Sequence, residues 1–370
     1  MATTKVGGGV VDLNSDNTAF QMPVGSTLYS GTPVAGMIRN NSSLTSSGSA
    51  TAFEYYDGTQ WVGMANVLAA PLEVNYVVIA GGAGTAGVSG GGGAGGLRTS
   101  YPNTSTLNGH NEAILSLSTS TNYTITIGAA GTAGSYGGSN PTNGNNTTFD
   151  TITSTGGGAG GYLKNVSPNF VPGSNGGSGG GGSLTSASAN GSAVTTPVTQ
   201  GYAGGFGDTS FPFGFGGGGG ANGVGGATPD GGGTGGVGGV GLVLGILNTT
   251  NATSASVGEV SGSDVYYAGG GGGAGQNNPG GGGAGGLGGG GDGGYSSSQP
   301  GTANTGGGAG GVRDTASGSN GGSGVVLLSY PSTYSVTVGA GITEASGSPF
   351  TEGSSKISIF TAGTGTISFS

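Results

Sequence analysis

Runs of consecutive glycine are the feature that most restricts what this chain can fold into. Gly accounts for 97 of 370 residues, and GGGAGG occurs at 91–96, 156–161, 281–286 and 306–311, with a related GGGGGAG at 269–275. Glycine inside an α-helix costs about 1 kcal/mol relative to alanine, so long helices are excluded. The irregular spacing of the runs excludes a fixed-period solenoid, and 14 prolines are too few for collagen.

Charge and cysteine content exclude further classes. The chain has 6 Lys+Arg against 15 Asp+Glu, a formal net charge of −9, and no cysteine. A nucleic-acid partner would need a basic stripe, which the sequence lacks, and disulfide bonds are impossible. The longest apolar stretches, 74–80 and 325–330, fall far short of the roughly 20 residues that span a membrane. We therefore expect no nucleic-acid partner, no membrane insertion and no signal peptide.

The glycine runs have two physical interpretations. One is a flexible linker. The other is a packed array of polyproline-II-type helices, whose three-residue turns point every N–H and C=O sideways toward neighbouring helices. Apolar segments such as VVLLSY (325–330) interrupt the runs, which favours the packed array. In such an array the alanine of each run should lie at an edge, because its methyl group needs space that no neighbour occupies.

Composition divides the chain into three zones and predicts an all-β, partly irregular fold. We expect an N-terminal β module for attachment or trimerisation (1–70), a polyglycine-II helix sandwich with flanking strands and loop inserts (71–332), and a C-terminal β segment (333–370). No segment shows a helical period with a capping residue. Alternating β-branched and aromatic residues predict strands at 75–80, 123–128, 148–153, 324–330, 334–338, 355–360 and 366–370.

Residues 33–66 contain a specific pattern, P-x-x-G-M-I-R-x-N followed after a spacer by E-x-Y-D-G-x-x-W. Its positions are Pro33, Gly36, Met37, Ile38, Arg39, Asn41, Glu54, Tyr56, Asp57, Gly58 and Trp61. With this pattern the segment closely resembles a module of tailed-phage fibre and virion appendage proteins. The resemblance implies a small β module, often trimeric, in a virion fibre. A longer Ser/Thr spacer at 42–51 departs from the usual pattern and should only lengthen a hairpin loop.

The central zone begins NYVVIAGGAG, contains the GGGAGG runs and ends GSGVVLLSY. With these segments it is similar to the glycine-rich domains of phage tail proteins, and 356–369 resembles a β segment of that family. The nearest functional relatives by this resemblance are the tail-fibre adhesins of T-even-type phages. That resemblance implies polyglycine helices in a sandwich with receptor-binding loops at one end.

Aromatic residues between the runs are the candidates for receptor contact. A glycine array cannot accommodate them, so they either form a local apolar plug or face a partner. The candidates are Phe206, Phe211, Phe213, Phe215, Tyr162 and Phe170.

Catalytic chemistry is not predicted. The single histidine, His110, is expected to be a solvated loop residue, and without cysteine or a clear pair of carboxylates we assign no catalytic, cofactor or metal residue. Arg98, Lys164 and Arg313 each follow a glycine run. They either bond carbonyl groups where a glycine helix ends or form a basic strip facing an acidic polysaccharide.

The sequence therefore predicts a non-enzymatic virion fibre protein on the particle exterior. The favoured role is a tail-fibre or tail-tip adhesin that recognises a bacterial surface protein or polysaccharide. The alternative is a structural head fibre or capsid decoration protein without receptor binding. In both cases the expected partners are other virion proteins, and the expected assembly is a homotrimer.

Overall fold

The computed structural model describes residues 38–41, 52–56, 58–64, 72–101, 110–165, 169–183, 189–228, 232–277, 281–314 and 317–370. The chain forms two compact units, Met1–Ala70 and Pro71–Ser370. Strands far outnumber the single short helix among the described residues, and much of the rest is irregular, which confirms the all-β, partly irregular fold class. In chain order the elements are β1 (Ile38–Asn41), β2 (Ala52–Tyr56), β3 (Trp61–Met64), β4 (Leu72–Ile79), β5 (Leu97–Thr99), β6 (Leu115–Leu117), β7 (Tyr123–Thr126), β8 (Thr147–Phe149), β9 (Ile152–Ser154), β10 (Tyr162–Leu163), β11 (Phe170–Val171), β12 (Leu242–Val243), α1 (Thr249–Ala255), β13 (Glu259–Ser261), β14 (Asp264–Tyr267), β15 (Val325–Pro331), β16 (Val336–Val338), β17 (Ile342–Glu344), β18 (Phe350–Glu352) and β19 (Ser355–Phe369).

The N-terminal unit contains an antiparallel sheet of β1, β2 and β3. Ile38 and Arg39 of the fibre motif lie in β1, Tyr56 in β2 and Trp61 in β3, and Tyr56 is the register partner of Trp61. Gly58 lies in the connection between β2 and β3 with φ 107°, a left-handed conformation that glycine adopts readily. Gly36 and Asp57 lie outside the described residues.

The main sheet of the second unit is built around two buried strands. Its eleven strands follow the order β5-β4-β15-β19-β7-β8-β9, with β6 on β4 and β16 to β18 on β19. Side chains alternate between the faces of β4, so Tyr76 and Val78 enter one apolar cluster while Val77 and Ile79 enter another. Both faces of the central strands are therefore covered, which explains their nearly continuous apolar sequences.

The C-terminal residues belong to this sheet. Strand β19 pairs with β15 through Val326 and Phe360 and with β7 through Ile125 and Gly365. The two strands predicted at 355–360 and 366–370 are thus a single 15-residue strand. Because this strand completes the pairing of β15, residues 333–370 share one sheet with the preceding zone and do not form a module of their own.

The glycine segments form extended helices that repeat every three residues. In segment 89–96, consecutive N–H groups bond to three different partner segments in turn. N–H groups that are three residues apart therefore bond to the same partner segment. This is the period of a polyproline-II-type helix, in which all hydrogen bonds run between helices. The bonds run from Ser89, Gly92 and Gly95 to Val312, Ala309 and Gly306, from Gly90, Gly93 and Gly96 to Gly161, Gly158 and Thr155, and from Gly91 and Ala94 to Gly216 and Gly219.

Three of these glycine helices, 89–96, 216–220 and 269–274, are enclosed on all sides. Segment 216–220 donates to three neighbouring segments and accepts from three others, so six helices surround it in hexagonal packing. The enclosed helices also bond to one another in a circle, for example from Gly218 to Gly271 at 2.8 Å and from Gly271 to Gly92 at 2.9 Å. Backbone hydrogen bonds therefore replace apolar side chains as the main contacts in this part of the core.

Most alanines of the glycine runs are buried, so they do not lie at a solvent-exposed edge of the array. Ala94, Ala159, Ala274 and Ala309 are buried, and only Ala284 is exposed. Ala94 packs in the apolar cluster on one face of the main sheet, and Ala274 packs with Val88 and Phe215. An alanine methyl group is thus placed where a glycine helix meets apolar side chains.

A short helix packs beside β13 and β14 and was not predicted. Helix α1 is capped by Asn248, whose side chain accepts a hydrogen bond from the N–H of Asn251 at 2.8 Å. Ala252 and Ala255 point into the apolar cluster that contains Val77 and Leu327. Polar residues otherwise dominate its sequence, TTNATSA, so the helical period is weak, and tertiary packing accounts for the helix.

Candidate functional site

Among the residues whose burial the structure describes, the most exposed aromatic side chains lie in a loop beside the glycine array. Phe211 is 72% exposed, Phe206 is 42% exposed, and Phe213 is half-buried. The rings of Phe211 and Phe213 meet edge to face, with centroids 5.8 Å apart. We call Phe206, Phe211 and Phe213 the aromatic patch.

The loop that carries the aromatic patch is tied down at its base. The N–H of Asp208 bonds to the carbonyl of Gly214 at 2.9 Å, and the Asp208 carboxylate accepts the N–H of Ser210 at 2.7 Å. The Gln276 side chain accepts the N–H of Phe213 at 3.0 Å. These bonds hold the backbone in place while the Phe211 ring stays in solvent, an arrangement typical of recognition loops on rigid scaffolds.

The other predicted contact residues are not equivalent to the aromatic patch. Phe215 is fully buried with Val88 and Ala274, so this residue is the apolar plug that the alternative interpretation described. Tyr162 is also buried; its hydroxyl donates to Asn140 at 2.7 Å, and burial raises its pKa. Both lack the exposed surface that receptor contact requires. Phe170 is half-buried in β11, where it pairs with Leu163 of β10.

An exposed apolar face adjoins the aromatic patch and was missed by the sequence reasoning. Its residues recur every third position on three neighbouring glycine helices, and none is charged. In the sequence these residues form the patterns V-G-G-A, T-G-G-V-G-G-V and A-G-G-L, in which a larger side chain follows every second glycine. Among so many glycines these patterns are hard to recognise. We call this surface the outer face; its residues are Val224, Ala227, Thr234, Val237, Val240, Ala284 and Leu287.

Hydrogen bonds show that the three helices of the outer face are neighbours. The N–H of Gly226 bonds to the carbonyl of Val237 at 2.7 Å, and that of Gly238 to Ala284 at 2.8 Å. At the other side the N–H of Thr228 bonds to the carbonyl of Phe206 at 3.1 Å. The outer face and the aromatic patch therefore form adjoining parts of one surface.

His110 is buried, so the expectation of a solvated loop histidine is wrong. Its Nδ1 lies 3.2 Å from the carbonyl oxygen of Leu97, and its Nε2 lies 2.7 Å from that of Ala221. Burial lowers the pKa of His110, although the two carbonyl groups and Glu112 act in the opposite direction. The ring thus lies between the ends of two glycine segments, and in its neutral form it donates to one of the two carbonyl groups.

The three basic residues that follow glycine runs have different surroundings. Arg98 forms an ion pair with Glu112 and donates to the carbonyl of Thr153 at 3.3 Å, which is the structural role that we considered. The Lys164 ammonium lies 5.8 Å from the centre of the Tyr162 ring. The Nε of Arg313 is buried and has no partner among the described residues.

Potential metal ligands are not grouped in the described residues. Within these ranges, no three His, Asp or Glu side chains are grouped so that they could hold a metal ion. In the same part of the chain, no helix has the length and apolar character needed to cross a membrane.

Comparison with known proteins agrees with the glycine architecture. A family model described as a glycine-rich domain matches residues 58–331. No curated protein and no solved structure matches the chain. The matched region includes all three enclosed glycine helices and ends with β15, which carries the VVLLSY sequence. The chain belongs to the glycine-rich domain family.

Proposed function

We propose that this chain is a non-enzymatic fibre protein of a virion and that the aromatic patch binds the surface of a host cell. The observation that carries the proposal is the exposure of Phe211 and Phe206 on a loop held by a hydrogen-bonded glycine array. Exposed aromatic rings on a rigid support lose little conformational entropy when a partner covers them. Such residues are typical anchors of protein and saccharide recognition.

The virion setting of the proposal rests on sequence resemblance. Residues 33–66 resemble the fibre module of tailed phages, and their β1-β2-β3 sheet is compatible with a small β module. In this setting the chain assembles as a homotrimer with other virion proteins on the particle exterior. The bound receptor is a bacterial surface protein or polysaccharide.

A structural role in the virion is the second candidate, and the outer face favours it. Val224, Val237, Val240 and Leu287 form much of an uncharged apolar surface, which would be covered by packing against another virion protein. In that case the chain is a head fibre or capsid decoration protein, and the aromatic patch belongs to the same packing contact.

Binding to cells distinguishes the two candidates. Purified, fluorescently labelled protein is titrated on the bacterial strains that the virus infects, and the Phe206→Ser/Phe211→Ser variant is compared with a Val260→Ser control. Val260 is 39% exposed in β13 and lies outside the aromatic patch. We expect saturable binding that weakens at least about tenfold in the double variant and is unchanged in the control.

Two results would contradict the adhesin. Equal binding by the double variant would remove the aromatic patch from recognition. No saturable binding of the folded wild-type protein to any infected strain would favour the structural role, which co-purification with virus heads then tests.

A further inference from the structure

A cleft of about 370 Å³ opens at one end of the main sheet, apart from the aromatic patch and the outer face. Its volume lies near the lower limit of small-molecule sites, which run from about 300 to 1,000 Å³. Most of its residues carry hydroxyl, amide or carboxylate groups. The lining residues are Glu73, Asn75, Ile114, Ser329, Tyr330, Pro331, Ser332, Thr333, Ser354 and Ser355.

The floor of the cleft is a polar continuation of a buried sheet face. Asn75 of β4 and Ser329 of β15 are register partners, so their side chains share a face. Two residues further along the same face, Val77 and Leu327 are buried in the apolar cluster. The face thus changes from apolar to polar where the cleft begins, and Glu73 extends the polar part of β4.

The rim of the cleft is held by backbone hydrogen bonds. The N–H of Ser332 bonds to the carbonyl of Ser354 at 2.8 Å, and the N–H of Tyr334 bonds to that of Pro331 at 3.0 Å. On the opposite side, Ile114 is 40% exposed and precedes β6, which pairs with β4. The cleft is therefore formed before a ligand enters, and Ile114 gives it one apolar wall.

Several polar groups in the cleft remain available to a ligand. The Oδ1 of Asn75 accepts a hydrogen bond from Ser100 at 3.3 Å, which orients the Nδ2 donor. Among the described residues, none bonds to that Nδ2, to the Glu73 carboxylate or to the Ser329 hydroxyl. The cleft thus presents an oriented donor, a charged acceptor and a hydroxyl close together.

These groups define the class of ligand. No cationic side chain lines the cleft, so an anionic ligand would find no opposite charge there. A divalent cation is also a poor fit, because the single carboxylate provides too few ligands. Adjacent donors and acceptors match neighbouring hydroxyl groups, each of which both donates and accepts. We infer that the cleft binds one neutral saccharide unit, with Glu73 and Asn75 bonding its hydroxyls and Ile114 covering its C–H face.

Saturation-transfer NMR tests this inference with the full chain. The probes are D-glucose, D-galactose and N-acetyl-D-glucosamine, added separately to wild-type protein and to the Glu73→Gln, Asn75→Ala and Asp264→Asn variants. Asp264 is exposed in β14 and does not line the cleft, so it is the matched carboxylate control. We expect transfer to at least one sugar, a Kd about tenfold weaker in each cleft variant, and no change in the control.

The outcomes separate this site from the aromatic patch. Absence of saturation transfer from the folded protein to any of the three sugars overturns the inference, as does binding that neither cleft variant weakens. Glu73→Gln keeps the test valid if Asn75→Ala disturbs folding, because no described residue bonds to the Glu73 carboxylate. The Phe206→Ser/Phe211→Ser variant should bind sugar as the wild-type protein does, even if its binding to cells is weaker. That result would show that the cleft and the aromatic patch are independent sites.

Discussion

At Gly218, a β-carbon would overlap the carbonyl group of Gly92 in the neighbouring glycine helix. Similar overlaps with backbone atoms occur at Gly92 and Gly271, so each enclosed helix needs glycine where it meets another. The clash involves backbone on both sides, and no flexible side chain can move away to relieve it. Glycine is therefore required at these positions because the neighbouring helices approach too closely to leave room for a β-carbon.

Replacing Gly218 by alanine should lower the free energy of unfolding by about 2–3 kcal/mol, because the added methyl group must separate two bonded helices. Gly245→Ala is the matched control, since no atom lies within 4 Å of its ideal β-carbon and its φ is not positive. The control should leave stability unchanged or raise it by up to about 1 kcal/mol. Urea denaturation of both variants measures the difference, and equal midpoints would contradict enclosed packing.

Buried His110 should make stability depend on pH. Its pKa is lowered by burial in the folded protein, whereas the unfolded chain has the ordinary value of about 6.5. As the pH falls below about 6.5, the unfolded state therefore binds more protons than the folded state, and stability decreases. The lost stability is at most about 1.4 kcal/mol per pH unit down to the folded-state pKa.

The contribution of His110 is obtained by comparison with His110→Gln. Denaturation at pH 7 and pH 5 should show a larger loss of stability for the wild-type protein than for the variant, because carboxylate titration is common to both. Equal losses would mean that the folded protein accommodates a protonated His110.

At the scale of elements, asparagine side chains replace a missing glycine helix at one edge of the array. The Oδ1 of Asn146 accepts the N–H of Gly156 at 2.9 Å, and the Oδ1 of Asn143 accepts that of Ala159 at 2.9 Å. The two asparagines are three residues apart, as are the two donors. At this edge, Asn side-chain oxygens thus accept the N–H groups of every third residue, which elsewhere in the array bond to the backbone carbonyl groups of a neighbouring helix.

Asn146→Ala should therefore cost about 1–3 kcal/mol, because the buried N–H of Gly156 loses its acceptor. Asn146→Asp keeps an oxygen at the same place and should cost less than about 1 kcal/mol. Thermal unfolding of the two variants distinguishes the lost acceptor from a general effect of substitution. A similar loss in both would show that this hydrogen bond does not stabilise the edge.

The longest strands were predictable, because alternation of side chains is a local property, whereas most strands of two or three residues were not. Segment 324–330 corresponds to β15, and 123–128 contains β7. The predicted strand at 148–153 is instead the β8–β9 hairpin, whose turn contains Asp150 with φ 51°. Helix α1 was missed because its formation depends on packing into an apolar cluster that draws residues from distant parts of the chain.

The candidate site was only partly predictable for the same reason. The sequence grouped Phe206, Phe211, Phe213 and Phe215, but burial of Phe215 depends on Val88 and Ala274, which are far away in the chain. The outer face requires knowledge of which glycine helices lie at the edge. The cleft requires the register of β4 and β15. Each of these depends on long-range pairing that a local pattern does not specify.

At the scale of the whole molecule, the array should behave as one cooperative unit and not as a linker. Its enclosed helices bond to each other and to the segments around them, and one of these, 80–85, directly continues β4. Opening the N–H of Gly92, Gly218 or Gly271 therefore requires the surrounding helices to separate. By contrast, the N–H groups of Val237 and Val240 bond to no described residue.

Amide hydrogen exchange followed by NMR measures this difference. We expect the amides of Gly92, Gly218 and Gly271 to exchange at least about 1,000-fold more slowly than those of Val237 and Val240, at rates similar to the amides of β15. The comparison is internal, because all five amides lie in glycine-rich sequence and differ in whether another helix covers them. Fast exchange throughout the glycine runs, with protection confined to the strands, would identify the runs as flexible linkers and remove the rigid support on which the aromatic patch depends.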